Sequence, residues 1–83
     1  MKRLPWGTFS TVEGYVTGVE WYDKSRHRNP RYRVTIQATR HHRVTLLTEI
    51  DGQVGYAATN YRGRHVRAAL NEYGHIRQIE ESR

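Results

Sequence analysis

Residues 24–48 carry seven side-chain cations and no carboxylate: Lys24, Arg26, Arg28, Arg31, Arg33, Arg40 and Arg43, with His27, His41 and His42 among them. The formal net charge of the whole chain is +6, so this stretch accounts for the excess and the remainder nearly cancels. All but Lys24 are arginines, whose planar guanidinium presents a fork of donors to phosphate oxygens and stacks on aromatic rings. A segregated stripe of such groups attracts polyphosphate better than the same charges scattered over a surface. Arginines outnumber lysines twelve to two. GC-rich coding explains that ratio but not the clustering. A solvated face kept for solubility is the plainer reading of any charge run. The acid-free length of this one favours phosphate contact.

The remaining chemistry-bearing residues are fewer. Trp21 and Tyr22 are adjacent, so on a strand they face opposite sides and one of them is exposed as a platform for a base. Tyr56, Tyr61 and Tyr73 are further rings, each equally suited to core packing. Arg62-Gly63-Arg64 lies in a second acid-free stretch, residues 52–71. It resembles the core of an AT-hook, which implies that Arg62 and Arg64 enter a narrow minor groove. The flanks here are Tyr61 and His65 where that pattern has prolines. A turn with two exposed arginines is the other reading.

Catalytic signatures are weak. Glu49, His41, His42 and Arg43 are of the types used by small basic ribonucleases, as general base and phosphorane stabiliser. No spacing brings them together. Ser10, Ser25 and Ser82 each sit near a loop or terminus, which disfavours a serine triad, and there is no glycine-rich phosphate loop. The chain is read as non-enzymatic. It has no cysteine, which excludes disulfides and zinc–thiolate sites. The five histidines have no chelating spacing, so neither a metal nor another cofactor is expected.

Eighty-three residues are expected to form one domain with a small core. The apolar fraction is 36%, below the usual ~45–50%, and aromatic and β-branched residues partly compensate. No apolar run approaches a membrane span. Met1-Lys2-Arg3-Leu4-Pro5-Trp6 has charge without a hydrophobic region behind it, so no secretory leader is expected. The expected location is the cytoplasm.

Periodicity supplies the elements that position the arginines. Residues 11–22 read as a long first strand with Val12, Gly14 and Val16 inward. Val19 and Trp21 have the opposite parity, which a bulge at Gly18 reconciles. Residues 23–30 are a polar loop. Residues 31–38 alternate, with Tyr32, Val34, Ile36 and Ala38 inward and Arg31, Arg33, Thr35 and Gln37 outward. After a turn at 39–42, residues 43–50 place Val44, Leu46, Thr48 and Ile50 inward and Arg43, Thr45, Leu47 and Glu49 outward. Asp51-Gly52 signals a hairpin into a strand at about 53–58. Residues 66–80 favour a hairpin turning at Asn71-Glu72-Tyr73-Gly74, with a short helix near 61–73 as the alternative. Trp6 and Phe9 are expected to cover one end of the core, and the termini to fray.

The expected fold is mainly β: a small antiparallel barrel of five or six strands, because closure removes edge strands. The bulged first strand, the basic loop after it and the alternating second and third strands resemble OB-fold or SH3-like barrels over residues 11–80. The Asp51-Gly52 hairpin departs from the OB pattern, which has a helix after its third strand. The OB resemblance implies a ligand lying across strands two and three and their flanking loops. On it, Arg26, Arg28, Arg31, Arg33, Arg40, His41 and Arg43 contact nucleic acid and Trp21 or Tyr22 stacks a base; Arg62 and Arg64, in the second acid-free stretch, form a further contact loop. The alternative is a protein-interaction module docking its basic face on an acidic partner, in the manner of small phage-encoded host-factor binders. A small basic ribonuclease is a third reading. No membrane partner is expected. The chain is a monomer, or a homodimer seeded by an exposed Leu47.

Overall fold

The computed structural model describes residues 10–24, 30–50 and 54–82. Five strands form one sheet: β1 (Ser10–Lys24), β2 (Pro30–Thr39), β3 (His42–Leu47), β4 (His65–Leu70) and β5 (Ile76–Glu81). A short helix, α1 (Val54–Ala58), and a 3-10 turn at Thr59–Tyr61 lie between β3 and β4. The strand order is β3-β2-β1-β4-β5, and every neighbouring pair is antiparallel. The two outer strands approach through Thr48, the residue after β3, which forms an isolated parallel bridge with Ile76 of β5. Among the described residues that bridge alone joins them, so the sheet curls toward a barrel without closing along its edges.

β1 is long because it serves both halves of the sheet. Its first half pairs with β4, from Ser10 opposite Leu70 to Tyr15 opposite His65. From Tyr15 onward it pairs with β2, ending with Lys24 opposite Pro30. The expected bulge is present: Val16 faces Ile36, Gly18 faces Thr35, and Thr17 is the extra residue. This returns Val19 to the side of Val16, and both are buried. A second irregularity, between Trp21 and Asp23, leaves Tyr22 as an extra residue.

The core follows the alternation. Val16, Val19, Val34, Ile36, Val66, Ala68, Leu70 and Ile76 come from the strands, and Val54 and Ala58 from α1. Tyr32, expected to be buried, is half-buried and packs against this cluster. Gly14 is needed for strand approach, since a Cβ there would lie 2.3 Å from the Gln37 carbonyl oxygen.

Three expectations change. Residues 54–58 are helical, not a strand; Asp51-Gly52 and Gln53 lie outside the described residues. Alternation would have put Tyr56 inside with Val54 and Ala58. In the helix the buried set is Val54, Gly55 and Ala58, one helical face, and Tyr56 is exposed. β3 ends at Leu47, and Ile50, expected inward, is 53% exposed. The chain leaves the sheet after Thr48, whose hydroxyl accepts the Tyr32 N–H at 2.9 Å, and Glu49 donates its N–H to the Ile76 carbonyl. Leu47, expected exposed, is half-buried. As expected, residues 65–81 form a hairpin, and the alternative helix near 61–73 is not formed: Val66, Ala68 and Leu70 alternate into the core. Gly74 closes the turn in the left-handed region, at φ +77°, where a side chain is disfavoured.

Candidate nucleic-acid interface

Directly opposed residues share a face of the sheet, so the register fixes the outer surface. Arg43 faces Gln37, Gln37 faces Tyr15, and Tyr15 faces His65. These four form one row across β3, β2, β1 and β4. Tyr15 is 57% exposed. Its ring meets the His65 ring edge-on at 4.8 Å, and His65 Nδ1 pairs with the Ser82 hydroxyl at 3.0 Å. Gln37 Nε2 donates to the carbonyls of Thr39 and His42, which ties the β2–β3 turn to the sheet. The adjoining row holds Thr35 and Thr45, their hydroxyls 3.2 Å apart, with Thr17 donating to the Thr35 carbonyl. The row carries no carboxylate.

Toward the far end of β2 the arginines acquire partners. Arg31, expected to project outward, is tucked in, with its side chain only 11% exposed. Its Nε donates to the Thr48 carbonyl, and its Nη1 lies 3.6 Å from Asp23 Oδ2. It braces β1, β2 and the end of β3. Arg33 is open to solvent but donates to Glu20 at 3.2 Å. Both guanidiniums lie over the Tyr22 ring, at 5.3 Å and 5.4 Å from its centroid, a cation–π arrangement. Glu20 and Asp23 come from β1, outside the acid-free stretch, and face Arg33 and Arg31 across the ladder.

The β2–β3 turn is different. Arg40, His41, His42 and Arg43 are all exposed. Among the described residues, neither Arg40 nor Arg43 has an ion pair. This turn and the start of β3 are the open cationic end of the face. Arg26, His27 and Arg28, expected to crown the opposite loop, lie outside the described residues.

Both Trp21 and Tyr22 are exposed, at 60% and 41%, where one had been expected. They separate by face. Trp21 faces Tyr32 and so stands on the core side of the sheet, where the core no longer covers it. Tyr22 shares the arginine face. Arg62-Gly63-Arg64 is a turn clamped to β1. Gly63 donates its N–H to the Val16 carbonyl, the Arg64 carbonyl accepts the Val16 N–H, and Arg62 donates to the Val19 carbonyl. Arg64 pairs with Glu81 at 3.2 Å. The extended form that the AT-hook resemblance implies is absent.

Tyr15, Glu20 and Asp23 were missed from the sequence. Tyr15 and Glu20 were legible as outward positions, because Val12, Gly14, Val16 and Val19 point inward. The ribonuclease-type residues are not assembled: His41 and His42 precede β3, whereas Glu49 follows it, roughly 20 Å along the strand. Among the described residues no three histidines or carboxylates gather as a metal site, and no helix is long and apolar enough to cross a membrane. Comparison with protein-family models, curated proteins and solved structures finds no match for this chain.

Proposed function

We propose that this chain is a cytoplasmic, non-catalytic nucleic-acid-binding module that takes a strand across the outer face of β1, β2 and β3. The observation that carries the reading is the Arg43–Gln37–Tyr15–His65 row: a cation, an amide, an exposed ring and an imidazole in register, with no acid among them. Such a row offers phosphate contacts and a stacking surface side by side. Arg40 and Arg43 supply cations free of ion pairs among the described residues. Thr35 and Thr45 supply hydroxyls between them. The topology supports the same reading. The strand order, the Thr48–Ile76 bridge and the helix between β3 and β4 are in keeping with the OB resemblance of the sequence, and in OB folds the strand 2–3 face binds oligonucleotides. In this reading Arg31 is a brace and Arg33 a reserve cation shared with Glu20.

Fluorescence anisotropy with a labelled mixed-sequence oligonucleotide tests the proposal. Saturable binding at about 50 mM salt is expected, weakening steeply as salt rises. Tyr15→Ala is expected to weaken it by about 1–3 kcal/mol, the range for a stacked base. No binding at low salt refutes the reading. If a single acidic protein is instead retained in a pull-down, the exposed rings and cations serve a protein interface.

A further inference from the structure

The β4–β5 turn and the chain leaving β3 enclose an open groove of about 540 Å³, lined by Glu49, Ile50, Asn71, Tyr73 and His75. That volume lies within the ~300–1,000 Å³ range of small-ligand sites. Ile50 and Tyr73 are 53% and 75% exposed, so the groove presents apolar surface to solvent. His75 lies beside Tyr73, their ring centroids 6.4 Å apart. Both rings are of the kind on which unstacked bases rest.

One side chain organises the groove. Asn71 Oδ1 accepts the N–H groups of Tyr73 and His75 at 2.9 Å and 3.0 Å. Its Nδ2 therefore points the other way and donates to Glu49 Oε2 at 2.8 Å. The Glu49 backbone is held too, by its N–H bond to the Ile76 carbonyl. The carboxylate is thus fixed at the groove, and its Oε1 has no hydrogen-bond partner among the described residues. No salt bridge among the described residues includes Glu49. A carboxylate of this kind repels phosphate, and it accepts from an edge that carries two adjacent donors. Guanine has that edge, with N1–H beside the N2 amino group. Adenine and cytosine place an acceptor beside their amino group, and thymine and uracil have one N–H between two carbonyls. The groove lies at the end of the sheet braced by Arg31, which donates to the carbonyl of Thr48, the residue before Glu49; the open cations at Arg40 and Arg43 lie toward the other end of β3.

We propose that this groove takes one unstacked guanine of a bound strand, its ring against Tyr73 and Ile50 and its N1–H and N2 amino donors on the Glu49 carboxylate. The inference rests on the nucleic-acid reading above and adds a base preference and the residue that sets it.

The test is anisotropy on the full chain with short oligothymidylates carrying one central dG, dA or dC. The dG strand is expected to bind at least about fivefold more tightly than the dA or dC strand. Glu49→Gln is expected to reduce that preference to less than about twofold without weakening binding to all-thymidine strand. A uniform affinity across the strands overturns the guanine assignment and leaves the nucleic-acid reading standing, as does a preference that survives Glu49→Gln. Failure of every strand to bind overturns both. Should Glu49→Gln fold poorly, amide NMR of the unaltered chain decides. Guanosine monophosphate is expected to shift Ile50, Tyr73 and His75, and adenosine monophosphate is not; equal shifts, or none, overturn the assignment.

Discussion

Thr48→Val isolates the joint on which the groove and the basic face both depend. Thr48 is fully buried, with 0% exposure, and its hydroxyl accepts the Tyr32 N–H at 2.9 Å. Its carbonyl receives Arg31 Nε, and the Thr48 N–H donates to the Tyr32 carbonyl. Valine matches the shape and keeps both backbone bonds, but it offers no acceptor to the Tyr32 amide. An unsatisfied buried donor costs about 1–3 kcal/mol, and the extra apolar group in the core offsets part of that. A net loss of about 1–2 kcal/mol corresponds to a fall in Tm of roughly 5–15 °C for a domain of this size. Thermal unfolding by circular dichroism reads the loss, and hydrogen exchange at the Tyr32 amide assigns it. The amide should exchange faster in Thr48→Val and stay protected in Thr48→Ser, which retains the hydroxyl and loses only a methyl group. A Thr48→Val melt equal to or above that of the unaltered protein, with the Tyr32 amide still protected, would refute the reasoning.

Gly14→Ala is expected to prevent normal pairing of β1 with β2, because its Cβ would sit 2.3 Å from a backbone oxygen and 2.8 Å from the Ala38 Cα. A loss of at least about 3 kcal/mol in urea unfolding, or failure to fold, is the expected result. Glu20→Ala removes an exposed pair and should alter stability by less than about 1 kcal/mol. It should also tighten oligonucleotide binding, by freeing Arg33. Arg31→Ala should do the reverse, lowering Tm while leaving the salt dependence of binding unchanged, since Arg31 braces the fold and Arg40 and Arg43 face the strand.

The strands of the basic region were legible because their signal is local. Tyr32, Val34 and Ile36 against Arg31, Arg33 and Thr35 is plain alternation, and the parity change after Val16 located the bulge at Gly18. The hairpin at Asn71 to Gly74 was legible from its turn residues. Residues 54–58 misled, because Val54, Tyr56 and Ala58 alternate as well as they fit a helix. The packing of the helical face separates the two, with Gly55 against Pro30, where a Cβ would lie 2.0 Å from the carbonyl oxygen, and Tyr56 turned out to solvent. The basic face was half legible. A run without acids in sequence acquires them in space when a neighbouring strand carries them, and Glu20 and Asp23 do so for Arg33 and Arg31. The burial of Arg31 had no signature in sequence, since it depends on where β3 ends. The groove at Glu49 joins residues more than twenty positions apart, which no periodicity links.

The central claim is that the open cationic end of the outer face holds a phosphate backbone. It is tested most directly by titrating salt against affinity for a single-stranded oligonucleotide, for the unaltered chain and for Arg40→Ala/Arg43→Ala. Each phosphate contact contributes about 0.7 to the slope of log K against log salt on a single strand. Two contacts, from Arg40 and Arg43, give a slope of about −1.4 for the unaltered chain, and the double variant is expected to flatten it to about zero. A slope that stays the same in the double variant, or an affinity that does not respond to salt in either protein, would contradict the account.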